Sequence, residues 1–265
     1  MQKIIDGKVR QVFDVGDDKL VIMTSDNISA FDVVLPNKVD GKGEILNKIS
    51  LFWFNFTKDI IANHILDDKL LPKEFENKNA IVVKKLNMLP FEFVVRGFMF
   101  GNMYKAYKNN GEFCGIKFDK QYDLGEKLNA PMITISTKTV KGDEYISEAQ
   151  VLKNINKNLL NHIKNICLKL YNVCYNYALT KRLIIADTKF EFGLDKDGNL
   201  VLADEIFTPD SSRYWDKIGY KKSFDKQILR DWLLSNNMDF DNVPKDILDK
   251  IKNVYAECLN RLTKE

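Results

Sequence analysis

Residues 187–205 read Asp187-Thr188-Lys189-Phe190-Glu191-Phe192-Gly193-Leu194-Asp195-Lys196-Asp197-Gly198-Asn199-Leu200-Val201-Leu202-Ala203-Asp204-Glu205. Successive side chains of a strand point to opposite faces. That alternation predicts one face carrying Asp187, Lys189 and Glu191 and the other carrying Phe190 and Phe192. Asp197-Gly198 is a strong two-residue hairpin signal. With those two residues as the loop, Lys196 pairs with Asn199, and counting back along both arms sets Glu191 opposite Asp204. Cross-strand neighbours on one face have Cβ atoms about 5 Å apart. Two carboxylates that close repel each other unless a cation sits between them. Magnesium with nucleotide phosphates is the natural candidate, because Mg²⁺ is held by one or two carboxylates plus phosphate oxygens. Lys189 adds a point charge beside it. A solvated hairpin face with a Lys–Glu pair is the plainer alternative for this stretch taken alone.

Outward from this hairpin, residues 183–206 read as three short strand-like segments, preceded by a helix over 147–181. Ser147 and Gln150 make a capping box for that helix. Toward the N-terminus, 9–15 and 19–24 are rich in Val, Ile and Phe and flank the turn Gly16-Asp17-Asp18, a strand pair by composition. Leu46, Ile49, Trp53, Phe56 and Ile60 recur at helical spacing within 44–61, and two further strands follow near 80–86 and 91–96. Helices are expected at 223–234 and at 244–262, the latter with Pro244 near its first turn. A β-rich first part and an α+β second part imply two lobes, 1–90 and 91–265, with a cleft between them as the usual place for a ligand.

Composition narrows the function. Hydrophobic residues are 45% of the 265, enough for a sizeable core, and the formal charge is only +3. No concentrated basic character argues for nucleic acid. Of the 40 basic residues 34 are Lys and 6 are Arg, so each planar guanidinium stands out as a fitting partner for carboxylate or phosphate. The four cysteines have no zinc or redox spacing; Cys167 and Cys174 are seven apart, as two buried positions on one helix face are, and read as structural thiols in a reducing cytosol. No apolar run approaches a membrane span and Met1 to Lys8 has no apolar signal core, so a cytoplasmic protein is expected.

Several catalytic signatures are missing. There is no Walker A loop and no Gly-x-Gly-x-x-Gly. The two histidines, His64 and His162, lie far apart without metal-ligand partners at motif spacing, and His64 reads as a capping or packing residue at a helix end. Arg96 ends a strand after Phe93-Val94-Val95, Arg213 follows Pro209-Asp210-Ser211-Ser212, and Arg230 lies on a helix one turn after Lys226 and near Asp225. Each alone suits a structural ion pair as well as a ligand contact. Gly7-Lys8-Val9-Arg10 opens the first strand and allows close backbone approach to a phosphate.

Taken in order, these segments resemble the SAICAR synthetase family. The matching stretches include Gly7-Lys8-Val9-Arg10, Ser25 to Asp32, Lys84 to Pro90, Val94-Val95-Arg96-Gly97 and Ser136-Thr137-Lys138. Asp143 to Ser147, Ala186 to Gly193, Asp204-Glu205, Thr208 to Trp215 and Ser223 to Gln227 continue the series, with Arg230-Asp231-Trp232 just after. The resemblance implies an α+β, two-lobed SAICAR-synthase-like fold related to protein kinases and ATP-grasp proteins. It implies an ATP-dependent ligase of purine biosynthesis that joins L-aspartate to the carboxylate of carboxyaminoimidazole ribonucleotide through an acyl phosphate. The expected partners are those three small molecules, with Mg²⁺ as cofactor, no nucleic acid, no membrane, and a homo-oligomer left open.

By the same resemblance, Lys8, Arg10 and Lys138 match phosphate contacts, and Lys84 to Met88 the adenine-contacting strand and hinge. Glu191 and Asp204 match the Mg²⁺–ATP carboxylates. Lys189 and Asp187 match groups at the reacting centre, with Asp225 and Lys226 expected to act there too. Asp32, Arg96, Asn102, Arg213 and Arg230 fall where the family binds and closes over the ribonucleotide. Three positions depart from the pattern. Asn27 stands where Arg is common, Asn102 where a Ser usually contacts the substrate phosphate, and Gly142 where a His often precedes the Asp143 position. Asn102 retains a hydrogen-bond donor. Two rivals remain. An inositol-polyphosphate-type kinase would want Pro at Leu183 and Gly at Glu191, and a non-catalytic nucleotide-binding module would have no need of the carboxylates and lysines.

Overall fold

The computed structural model describes residues 1–76, 78–118, 120–139 and 142–264, and of residues 138, 139, 142 and 143 only the backbone. The chain opens with β1 (Gln2–Asp6), β2 (Arg10–Gly16) and β3 (Lys19–Thr24). The β2–β3 turn is tight because Asp17 and Asp18 both take positive φ, at 50° and 55°, the backbone that matches strand twist in a two-residue hairpin. A second hairpin, β4 (Asn27–Ala30) and β5 (Val33–Lys38), turns through Phe31 and Asp32 in the same way. Helix α1 (Lys42–Phe56) follows, five residues shorter at its C-terminal end than its apolar spacing suggests. The Thr57 hydroxyl donates to the Trp53 carbonyl and closes it there. β6 (Ala80–Lys84) then completes an antiparallel sheet of order β1-β2-β3-β6.

A larger sheet holds the rest. β7 (Asn87–Phe98) leads into α2 (Gly101–Asn110) and a small hairpin, β8 (Glu112–Phe113) with β9 (Ile116–Lys117). β10 (Lys127–Thr139) and β11 (Gly142–Ile146) come next, then helices α3 (Glu148–Val151) and α4 (Lys157–Thr180). β12 (Leu183–Leu194), β13 (Leu200–Ala203), β14 (Ser212–Asp216) and β15 (Gly219–Ser223) follow, and α5 (Gln227–Ser235) and α6 (Lys245–Thr263) finish the chain. The sheet order is β11-β10-β7-β12-β14-β15, with β13 added to β12, every pairing antiparallel. The expected α+β fold is the one observed.

Three local expectations are corrected. The 147–181 helix is two helices. Its capping box forms at Ser147, but α4 starts afresh at Lys157 under its own cap, the Asn156 side chain on the Leu159 amide. The strand-like segments of 183–206 are one twelve-residue strand and one of four, because β12 runs on through irregularities in its pairing at Ile185–Asp187 and Glu191–Gly193. The loop between β12 and β13 is also longer than two residues. Gly198 donates its amide to the Asp195 carbonyl, and Asp195 donates to the Asn199 carbonyl. Asp195 Oδ1 accepts from the amides of Asp197 and Asn199. With Gly198 at φ 81° this is a three-residue loop ending on a left-handed glycine. The register moves by one, and Glu191 faces Ala203 instead of Asp204.

The main core lies on one face of the large sheet. Phe91, Phe93 and Val95 of β7 and Phe190 and Phe192 of β12 pack there against α4, whose buried stripe includes Cys167, Tyr171 and Cys174. The predicted thiol pair thus sits on one buried helix face. Alternate residues of the same strands face the opposite way: Glu92, Val94 and Arg96 on β7, and Asp187, Lys189 and Glu191 on β12. No helix among the described residues is long and apolar enough to cross a membrane.

Candidate active site

β7 and β12 lie side by side with Glu191 opposite Glu92 and Asp187 opposite Arg96. Their outward face is therefore a row of charge over a wholly apolar core. At its centre Lys189 donates to Glu92 Oε1 at 2.8 Å and to Glu191, with Asp204 Oδ2 3.6 Å away. Burial alone would pull this ammonium down, but Glu191, Asp204 and Glu92 outweigh it and hold Lys189 well above the ordinary lysine range. Asp204 reaches the cluster from just beyond β13 because its own backbone turns through φ 59°.

A cavity of about 880 Å³ opens on this row. One part of its wall is apolar, lined by Ile22 and Val83 of the small sheet, Leu86 of the segment that joins the sheets and Met88 at the start of β7. Gly193 lets that segment lie close, since a Cβ there would sit 2.8 Å from the Leu86 side chain. The charged part is lined by Lys8, Arg10, Asp32, Lys84, Lys226 and Arg230 together with Lys189, Glu191 and Asp204. Arg10 forks onto both oxygens of Glu205, at 2.6 Å to Oε1, and the Thr208 hydroxyl donates to the same carboxylate. Glu205 raises the guanidinium's affinity for its proton despite burial. Lys8 and Asp32 pair at 2.5 Å across the mouth. His64, buried in the wall, has no partner for Nε2, and burial pushes its ring down to about 4, so it is neutral at physiological pH.

A smaller cavity of about 180 Å³ adjoins the first. Asp187 receives Arg96 NH1 at 3.3 Å and Arg213 NH1 on one and the same oxygen. Arg96 is further fixed by the Thr134 hydroxyl at 3.1 Å and by Tyr145, which accepts from NH2 at 3.1 Å. The Arg213 guanidinium packs over Gly101 at the start of α2, where a Cβ would lie 2.7 Å from NH2. Asn102, the next residue, lines the pocket. Two arginines on one carboxylate, beside a helix N-terminus, make this chamber a fit for an anion. Glu92, Lys189 and Ser211 line both cavities and form their common wall.

The family model described as SAICAR synthetase matches residues 3–247. The chain belongs to the SAICAR synthetase family. It is 44% identical to the phosphoribosylaminoimidazole-succinocarboxamide synthase of Lachnospira eligens, over 98% of this chain and 94% of that one. To the Haemophilus influenzae enzyme of that name it is 42% identical, over 100% and 97%. Among solved structures, the SAICAR synthase of Saccharomyces cerevisiae complexed with SAICAR superposes with a TM-score of 0.89 at 35% identity, over 98% of this chain and 94% of that one. A type-2 SAICAR synthetase in complex with ADP superposes with a TM-score of 0.77 at 28% identity, over 98% and 97%.

Most residues singled out through the SAICAR synthetase resemblance fall into the two cavities. Lys8, Arg10, Lys84, Met88, Lys226, Arg230, Glu191 and Asp204 line the large one; Arg96, Asn102, Asp187 and Arg213 line the small one; Lys189 lines both. Asp32 lines the large cavity with Arg230, and not the small one with Arg96 and Arg213. Asp225 lines neither. It is fully buried, and its oxygens accept from the Tyr214 and Gln227 amides and the Ser223 hydroxyl. Burial raises its carboxyl against the pull of Arg230. Its bonds tie β14 and β15 to the start of α5 and so place Lys226. The side chain of Lys138 lies outside the described residues. Sequence reasoning missed Glu92, Glu205 and Lys42. A charged residue inside Pro90-Phe91-Glu92-Phe93-Val94 was a signal for the first, and the matching stretch Asp204-Glu205 for the second; Lys42 has none, its carboxylate partner Asp210 lying far along the chain.

Proposed function

We propose that the two cavities together join L-aspartate to the carboxylate of carboxyaminoimidazole ribonucleotide at the expense of ATP, giving SAICAR, ADP and phosphate. The observation that carries this is Lys189. It stands in the wall shared by a large cavity with an apolar slot and a cationic end and a small cavity built for an anion. Residues 1–90 supply much of the nucleotide's surroundings, with Met88 and Leu86 against the base and Lys8 and Arg10 toward its phosphates. Residues 91–265 supply Arg96, Arg213 and Asn102 for the ribonucleotide. Lys226 and Arg230 take an anionic group of a substrate at the cavity wall.

A carboxylate is a poor electrophile and an acyl phosphate a good one. The carboxylate oxygen takes the γ-phosphoryl group as the bond to ADP breaks. The amine of aspartate then attacks the acyl carbon, gives up a proton, and phosphate departs with that oxygen. The chain's part is positioning and charge neutralisation, the main levers in phosphoryl transfer. Lys189 is cationic throughout and faces both the donor and the acceptor. Glu191 and Asp204 offer hard oxygen donors toward the large cavity, which suits Mg²⁺. Among the described residues no group of three or more His, Cys, Asp or Glu could hold a metal, so the remaining ligands would be phosphate and water oxygens, as Mg²⁺ prefers. When bound, Mg²⁺ neutralises phosphate charge. With the ribonucleotide carboxylate labelled with oxygen-18, one label per turnover is expected in released phosphate; unlabelled phosphate would rule the acyl phosphate out. A requirement for aspartate in steady-state ADP release separates this ligase from a kinase.

A further inference from the structure

Lys42 opens α1 and is fully buried. A buried ammonium needs partners. Its Nζ donates to the Asn27 carbonyl oxygen at 3.0 Å and to Asp210 Oδ2 at 2.8 Å. Lys226 Nζ lies 3.1 Å from that same oxygen, and the Tyr255 hydroxyl donates to Oδ1 at 2.8 Å. One carboxylate, itself only 4% exposed, thus carries two lysines. Burial would raise the Asp210 carboxyl, but Lys226 and Lys42 outweigh it and hold Asp210 well below the usual range, ionised.

The two lysines have different outlooks. Lys226 lines the large cavity at the first residue before α5, and Lys42 does not. If Lys226 turned to a substrate anion with no second cation present, it would strand a buried carboxylate, which is heavily disfavoured. With Lys42 in place, Asp210 keeps a cation at 2.8 Å and a hydroxyl donor when Lys226 leaves.

We propose that Lys42 is a positioning residue, the standing counter-ion of Asp210, which frees Lys226 to leave that carboxylate and take a carboxylate or phosphate group of a substrate in the large cavity. This rests on the assignment of Lys226 to a substrate anion made above. A purely structural ion cluster would lower stability when broken and leave the balance between KM and kcat alone.

The test is steady-state kinetics with ATP, ribonucleotide and L-aspartate varied in turn, on variants whose folding is checked by thermal melting. Lys226→Met should raise the KM of one of the three by roughly tenfold or more, the scale of one charge-assisted hydrogen bond, and so name the anion. Lys42→Met should raise that same KM by a similar factor, because Lys226 must then stay on Asp210. In Lys42→Met/Asp210→Asn the amide no longer holds Lys226, and this KM should return to within about threefold of wild type. A folded Lys42→Met with that KM unchanged, or a folded double variant with it still raised, overturns the inference. If Lys42→Met fails to fold, the double variant, whose one remaining charge of the cluster is Lys226 at the cavity wall, decides by the same criterion. Unchanged KM values for all three substrates in Lys226→Met would instead overturn the assignment of Lys226.

Discussion

The hydroxyl of Tyr171 fills the space that a side chain at Gly97 would need. Tyr171 rises from α4 beneath the large sheet and donates to the Ile185 carbonyl at 2.7 Å. Between Ile185 and Asp187 the pairing of β12 with β14 shifts register, and Asp187 emerges opposite Arg96. A helix residue in the core therefore braces the backbone two residues before the carboxylate that holds both arginines.

Gly97→Ala should destabilise the fold by about 1–3 kcal/mol, the usual cost of overpacking, seen as a melting temperature several degrees lower. Tyr171→Phe removes the atom nearest the new Cβ. Added to Gly97→Ala it should recover part of the loss, so the double variant melts higher than the sum of the two single effects. Simple additivity would show that the two residues do not compete for the space.

Asp204→Asn keeps the shape of the side chain and removes its charge. We expect kcat to fall by on the order of a hundredfold, the scale of losing one fixed charge at a phosphoryl-transfer site. The sharper readout is calorimetric. Mg²⁺ should tighten ADP binding to the wild-type protein and do so much less for the variant. An equal Mg²⁺ effect in both would remove Asp204 from the metal assignment.

Arg213→Lys preserves charge and loses the planar fork. Because Arg213 and Arg96 share Asp187, the guanidinium's remaining N–H groups are those open to a ligand. KM for the ribonucleotide should rise roughly 10- to 100-fold with the ATP constant within a factor of two. A selective change in the ATP constant would place Arg213 in the wrong chamber.

His64 predicts an acid-limb dependence of stability. Its folded value of about 4 lies below the ordinary 6.5, so the unfolded chain binds the proton first as pH falls. Its contribution is complete above pH 6.5 and declines toward pH 4, by about 3 kcal/mol in all. In protein free of nucleotide and metal, His64→Gln should melt with a shallower pH dependence across that window. Parallel curves for the two proteins would assign the acid sensitivity to other groups.

Strand alternation made the central row of the site legible. Asp187, Lys189 and Glu191 do share a face, because period two is a property of the backbone and survives an error in register. The register itself was misjudged by one residue, since Asp195 captures two amides with its side chain and lengthens the loop. Asp204 still reaches Lys189, but through its own positive φ, which no pattern of apolar residues encodes. Asp225 looked like a working acid because a sequence does not reveal that three donors bury it. Asp210 lies 168 residues from Lys42, Glu205 195 from Arg10 and Glu92 97 from Lys189, and separations of that size carry no periodic signal. Helix ends were misplaced where side-chain caps, at Thr57 and Asn156, overrode apolar spacing.

The wall of Glu92, Lys189 and Ser211 between the chambers has a consequence for inhibition. The same three side chains line both chambers, so a single compound could pass over them, with a flat heteroaromatic ring against Leu86 and Met88 and an anionic head group at Arg96 and Arg213. Such a compound surrenders translational and rotational freedom once, where two separate ligands surrender it twice. Its linker would run past Lys189 and reward a neutral or acidic bridging atom over a basic one.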